Sequence, residues 1–283
     1  MFHNDAVPFT VIRSAGLRTA TCCPAYPGSV SDGGVPIVGR VAAAAARTVA
    51  AGTARLFSAW SEDSPVPRAQ DRRCEGVADL AARRARVLQA VLFNERMTAE
   101  FLQRHDDDEG LGEFSQPQEV IYDGANAFIH VAGRWTGFFL ADRGGPRGPN
   151  DPLWPLDALF GARDDAVEIR SEAVRGVAAT RCRLTLDLAR ADAALPPGVS
   201  VPAGPYRALR AMPAEVWLDA DGLARRVAVS AESADPVTTA PGKHAWTIVE
   251  LWDFGVAVDI TAPRPDEVVP PHEAYRDRPG SDA

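Results

Sequence analysis

The chain has 283 residues, 46% hydrophobic and 24% charged, with a formal net charge of −8. That is enough chain for one large domain or two small ones. The acidic balance excludes a general nucleic-acid binder, whose phosphate contacts need a basic face, and it offers no general attraction to anionic membranes.

Residues 1–34 are rich in proline and glycine, with no apolar run long enough for a signal peptide's hydrophobic region, and are expected to form a flexible N-terminal tail. A single domain is expected over 35–269, with a second polar, proline-containing tail at 270–283. "VPIVGRVAAAAARTVAAG", 35–52, predicts a helix started by Pro36 and stopped by Gly52. Arg40 and Arg47 make it too charged to cross a bilayer of roughly 30 Å. "TARLFSAW", 53–60, leads into a proline turn. "RRCEGVADLAARRARVLQAVLF", 72–93, predicts two strands or one long bent strand, its arginines on solvent-facing positions. "RHDDDEG", 104–110, predicts a solvated loop, because consecutive side chains rarely aim at one metal ion.

Three strands are expected in 119–142, with turns at Asp123–Gly124 and Gly133–Arg134. Residues 143–162 predict a glycine/proline loop and a short helix, with Asn150 or Asp151 as N-cap and Gly161 as stop. The loop has no GxxxxGK[ST], and its prolines lack the N–H groups that cradle phosphate. In 166–191 the alternation is clear. Cys182, Leu184, Leu186 and Leu188 share one face; Arg181, Arg183, Thr185 and Asp187 share the other. One wet face implies an antiparallel sheet. Another short helix is expected near 203–211, then a hairpin in "EVWLDADGLARRV", 215–227, and two further strands in 244–263 that bend at Phe254–Gly255. About ten strands in near-consecutive hairpins, with few helices, predict an α+β fold: one large curved antiparallel sheet whose concave face the helices cover.

Candidate chemistry is sparse. Asp219, Asp221 and Gly222 look like part of a calcium loop. With Gly222 as its sixth position, however, the first and twelfth ligands fall on Trp217 and Ala228, which supply no side-chain oxygen. An Asp-Gly hairpin turn accounts for them. There is no GxSxG, HExxH or GxGxxG. His3, His105, His130, His244 and His272 are scattered, and Asp164 and Asp165 sit at a helix–strand junction where solvation explains them. No catalytic residue, metal ligand or cofactor site is assigned. Cys22 and Cys23 lie in the tail. Cys74 and Cys182 lie in strands, as buried free thiols or, in an oxidising compartment, as a bridged pair.

From about residue 150 onward, "VRGVAATRCRLTLDL", "EVWLDADGLARRV" and "VELWDFGVAVDITAPRPDEV" stand in an order that resembles the LppX/LprG-type lipoproteins, relatives of the LolA/LolB lipoprotein carriers. The resemblance implies an open half-barrel of antiparallel strands, with helices as a lid over an apolar cavity. It implies a non-enzymatic carrier of lipids or acylated ligands, with a membrane or a partner lipoprotein as further partner and an extracytoplasmic or membrane-associated location. Cys182 stands where family members often carry an aromatic residue, and the "RTAT" before Cys22 is not a lipobox. Burying an acyl chain of about 16 carbons at roughly 0.8 kcal/mol per CH₂ yields on the order of 12 kcal/mol before ordering costs, so apolar walls suffice without a charged constellation. Candidate cavity-lining residues are Ile129, Phe138, Leu140, Leu184, Leu186, Val216, Leu218, Val227 and Val229. Each also suits an ordinary core packed beneath a helix. The alternative is an interaction or sensor module on the same fold with a filled cavity, with contacts carried by loops such as 104–117 and 192–214; a third is a hydrolase assembled from distant acids.

Overall fold

The computed structural model describes residues 37–62, 70–93, 117–124, 126–139, 151–196, 201, 211–232 and 244–274. Helix α1 is Ile37–Ala50. Three hairpin-linked strands follow, β1 (Thr53–Glu62), β2 (Gln70–Asp79) and β3 (Arg84–Phe93), then β4 (Gln118–Asp123), β5 (Asn126–Val131) and β6 (Arg134–Phe139). Helix α2 (Trp154–Ala158) runs into a 3-10 turn, Leu159–Gly161. Strands β7 (Val167–Val174) and β8 (Val177–Asp187), helix α3 (Leu188–Ala194), and strands β9 (Ala211–Asp219), β10 (Ala224–Glu232) and β11 (His244–Trp252) complete the main sheet. A two-residue β12 (Val268–Val269) and a helical turn α4 (Pro271–Ala274) close the described chain.

All twelve strands form one open sheet in the order β12-β6-β5-β4-β3-β2-β1-β11-β10-β9-β8-β7. Every pairing is antiparallel except β12 on β6. The sequence-based architecture is therefore what the structure has, with β12 as an added parallel edge. β1 pairs with both β2 and β11, so the N-terminal hairpins and the C-terminal meander meet at the centre. Period-two burial gives the sheet one apolar face, which α1, α2 and α3 pack against over β8–β11. The opposite face is wet on its C-terminal half. There Arg181, Arg226 and Arg175 interleave with Glu215 and Glu250, and the Arg175 guanidinium lies 3.6 Å over the Trp252 ring.

Helix α1 ends as its composition predicts: Gly52, at φ +82°, turns the chain left-handed straight into β1. Its buried residues, Val41, Ala44, Ala45 and Thr48, are small, so it lies close to the strands. Thr48 Oγ1 donates to the Ala44 carbonyl at 2.6 Å and accepts from the Ala224 N–H at 2.9 Å, fixing the end of α1 to the start of β10.

Several local expectations are corrected. The N-cap of α2 is Leu153, without a side-chain cap bond; Asp151 instead accepts from the Leu153 N–H at 2.8 Å, two residues on, in a turn that precedes the helix. Of the two strands expected in 244–263 only β11 forms. Its free edge is taken by β1, so residues after Trp252 have no ladder to join, and the chain turns at 253–255 to dock on Thr53. The turn expected at Gly133–Arg134 lies one residue earlier, at Ala132–Gly133. The tail expected from residue 270 contains α4, with Ala274 fully buried. Asp165 is more than a solvated acid: it accepts from the Thr185 N–H at 3.0 Å and from Thr185 Oγ1 at 2.5 Å. Leu188 leaves the strand alternation as the first residue of α3. The acidic stretch 104–110 and most of the helix expected near 203–211 lie outside the described residues; Ala211 itself begins β9.

The 215–227 hairpin forms. Gly222 N–H donates to the Asp219 carbonyl and Asp219 N–H to that of Leu223, with Gly222 at φ +74°. This is a tight turn closed by a left-handed residue, followed by a bulge between Ala224 and Arg226. Asp219 is buried, its carboxylate accepting from the Leu223 N–H and pairing with Arg225.

Candidate functional site: a polar recess on an apolar face

Register turns the inner face into rows of neighbouring side chains. One row runs Cys182, Val216, Val227, Val249, Ser58, Cys74, Gln89, from β8 across to β3. The next runs Leu184, Ala214, Val229, Thr247, Trp60, Arg72. Both change character at the centre of the sheet. On β8–β10 they are apolar, or the neutral thiol of Cys182, and lie under the helices. On β1–β3 they are mostly polar.

At this change lies a small recess of about 20 Å³, room for about one water molecule, lined by Ser58, Trp60, Arg72, Cys74, Gln89, Asp151, Pro152 and Thr247. It sits toward the rim where β1 and β3 end and β2 and β11 begin. Asp151 and Pro152, just before α2, form the wall facing the strands.

The recess is organised by hydrogen bonds. Tyr122 Oη donates to Gln89 Oε1 at 3.0 Å, and Cys74 Sγ donates to the same oxygen at 3.7 Å. With its carbonyl engaged twice, the Gln89 amide keeps its NH₂ group for other acceptors. The Arg72 guanidinium lies 5.9 Å from the centre of the Trp60 ring, a cation–π distance. Burial pushes the Cys74 thiol up to about 12, with Arg72 opposing the shift and Asp151 adding to it. Burial likewise raises Tyr122. Both groups are neutral donors at physiological pH, and neither is an activated nucleophile.

Leu184, Leu186, Val216, Leu218, Val227 and Val229 all belong to the single large core cluster and are buried beneath the helical cover. Ile129 is half-buried and packs on the same cluster. Phe138 lies in β6 opposite Ala127, and Leu140 lies outside the described residues. None of the seven candidates whose side chains are described lines the recess, though Val229 is a row neighbour of Thr247 at its margin. The residues that do line it were missed. The available signal was an interruption of apolar alternation: Leu56-Ser58-Trp60 in β1 and Ala85-Val87-Gln89 in β3 turn polar toward one end. Arg72, placed by its sequence among solvent-facing arginines, instead faces the recess.

Cys74 and Cys182 are free thiols. Five strand spacings separate β2 from β8 in the sheet order, about 24 Å along the sheet, far beyond disulfide reach. Among the described residues no group of three His, Cys, Asp or Glu could hold a metal ion, and no helix is long and apolar enough to cross a membrane. His130 stacks at a tilt on Trp135, with ring centres 4.8 Å apart.

No family model and no curated protein matches the chain. Solved structures do. The lipoprotein LppX from Mycobacterium tuberculosis is 13% identical, with 78% of this chain and 98% of that one covered, at a TM-score of 0.40. LprF from Mycobacterium bovis is 10% identical, with 81% and 98% covered, at 0.46. A LolA-superfamily protein from Nitrosomonas europaea is 8% identical, with 81% and 99% covered, at 0.33.

Proposed function

We propose that the chain is a non-enzymatic carrier that shelters the acyl part of a lipid or acylated ligand against the inner face of its sheet. The observation that supports this most directly is the continuous apolar face of β8–β11, covered by short helices and small side chains and ending at the recess. Val249, Val229 and Val227 are buried here; as the helical cover shifts outward they form the wall a ligand meets, and solvent exclusion along it supplies affinity without reactive groups. Leu184, Leu186, Val216 and Leu218 extend that wall deeper, and become available as α1 and its neighbours shift outward. Ile129, on β5, would extend the wall into the other half of the sheet.

The test is direct. The protein is purified without detergent, extracted with organic solvent, and the extract analysed by mass spectrometry; the emptied protein is then titrated with a fluorescent fatty acid. Co-purified lipid or saturable uptake supports the carrier. Neither, in folded protein, refutes it.

A second reading is favoured by the packing itself. Val216, Leu186 and Val249 are fully buried with the helices in place, which suits an interaction or sensor module that keeps the sheet as a scaffold. A stoichiometric protein partner, recovered while the lipid assays stay blank, would select it.

A further inference from the structure

The two edges of the sheet differ. β12 lies along β6 at Trp135 and Thr136, whereas β7 pairs only with β8 among the described residues. A strand with one neighbour presents a row of backbone N–H and C=O groups to any chain that can lie beside it. Exposed apolar side chains gather at the same place. Apart from Leu88, the large ones among the described residues are Val167 and Ile169 on β7 and Val177 at the start of β8.

The charges on β7 say what fits there. Arg170 and Glu172 share the wet face, opposite Arg181 and Ala179 of β8, and pair with one another at 2.8 Å. Ser171 lies between them on the inner face, opposite Thr180. For a second copy of β7 laid antiparallel alongside, directly opposed residues share a face, so the two-fold axis passes through a residue. An axis at Arg170 or at Glu172 sets like charges against one another, which is destabilising. An axis at Ala173 leaves Glu172 opposite Val174. An axis at Ser171 sets Arg170 opposite Glu172 twice. Each group keeps its partner within the chain and gains a second across the edge, which the several donors of a guanidinium and the lone pairs of a carboxylate allow.

The bulge in β7 supports the same register. One residue is extra between Glu168 and Arg170. Glu168 therefore falls opposite the second copy's Ala173, and Val167 opposite its Val174, beside Val177. Charged edges ordinarily resist pairing; this pattern instead selects one register. Because β12 already occupies the edge of β6, pairing through β7 closes at two copies and does not propagate.

We infer that β7 is a self-association edge: two copies of the chain pair antiparallel through Val167–Val174, about a two-fold axis at Ser171, and join their sheets into one. This goes beyond the carrier reading and does not depend on it.

Sedimentation velocity of the full chain, over a roughly hundredfold range of concentration and at low and high salt, measures the association. The expected result is a monomer–dimer equilibrium in the parent that salt weakens. Arg170→Glu turns both cross-strand pairs from attraction to repulsion and should weaken the dimer by roughly tenfold or more. Mixing Arg170→Glu with Glu172→Arg sets opposite charges across the edge again and should restore a dimer that neither variant forms as well alone; thermal melting confirms that each is folded. Ser171→Cys provides a second measurement. Opposed Cα atoms in an antiparallel pair lie about 4.5–5.5 Å apart, within disulfide reach, so mild oxidation should give a covalent dimer whose link maps to position 171. Ala173→Cys, with its own copy roughly 13 Å away in this register, should not link. A parent that stays monomeric throughout overturns the inference. So does a dimer that Arg170→Glu leaves unchanged, or a link that forms no faster at position 171 than at 173.

Discussion

Arg83→Met removes the cation that anchors α2 to the β2–β3 turn. Arg83 Nη1 lies 2.8 Å from both carboxylate oxygens of Asp157, and the two side chains are only 14% and 4% exposed. A pair this buried is not the screened surface bridge worth a few tenths of a kcal/mol. Its charges have already lost their hydration, and removing one partner leaves the other buried without its counter-charge, at a cost of about 3–5 kcal/mol. Against a total stability of roughly 5–15 kcal/mol that is a large fraction. Arg83 also sits at φ +56°, a left-handed position that costs a non-glycine residue roughly 1–2 kcal/mol. Arg83→Gly should therefore destabilise by less than Arg83→Met, although it removes the same charge. Arg83→Met/Asp157→Leu, which removes both charges, should recover much of the loss. Urea titration followed by tryptophan fluorescence measures all three as changes in midpoint at constant slope. A cost below about 1 kcal/mol for Arg83→Met, or a double variant no more stable than the single one, would refute the claim that this pair is buried and mutually dependent.

Thr48→Val keeps the shape but leaves the Ala224 N–H without its acceptor, at about 1–3 kcal/mol, while Thr48→Ser stays close to the parent; thermal melting distinguishes them. For Asp165, burial favours the neutral acid, but the two hydrogen bonds from Thr185, together with its own backbone N–H and the charge of Arg163, outweigh it and hold the carboxyl below its usual value. A depressed folded value adds stability above the unfolded pKa near ~3.9, which is lost as pH falls through the folded value. Thr185→Val should thus flatten the acid limb of the stability curve below about pH 4, and an unchanged limb would count against that role. Burial pushes the Cys182 thiol up to about 11, with Glu168 adding and Arg40 opposing. Together with Cys74, near 12, it should resist iodoacetamide at about pH 8 in the native state and react once unfolded, as read by peptide mass mapping. Rapid native labelling of either would contradict the burial.

Local chemistry determined much of the fold by itself. The alternation of Cys182, Leu184 and Leu186 with Arg181, Arg183 and Thr185 set the two faces of β8, because successive side chains on a strand must point opposite ways. The Asp-Gly turn of 215–227 and the stop at Gly52 followed from residues that tolerate left-handed backbone. Which strands lie side by side was decided only by tertiary structure. Period two names a face but no neighbour. Ser58, Cys74 and Gln89 are separated by 16 and 15 positions in the sequence yet form one row. Val249 joins that row from the far end of the chain, because β1 inserts between β2 and β11. The same insertion removes the partner edge that a strand after Trp252 would have needed. Register is a long-range property: it is fixed when hairpins from both halves of the chain close on one another, so the recess and its balance of charge exist only once that sheet is assembled.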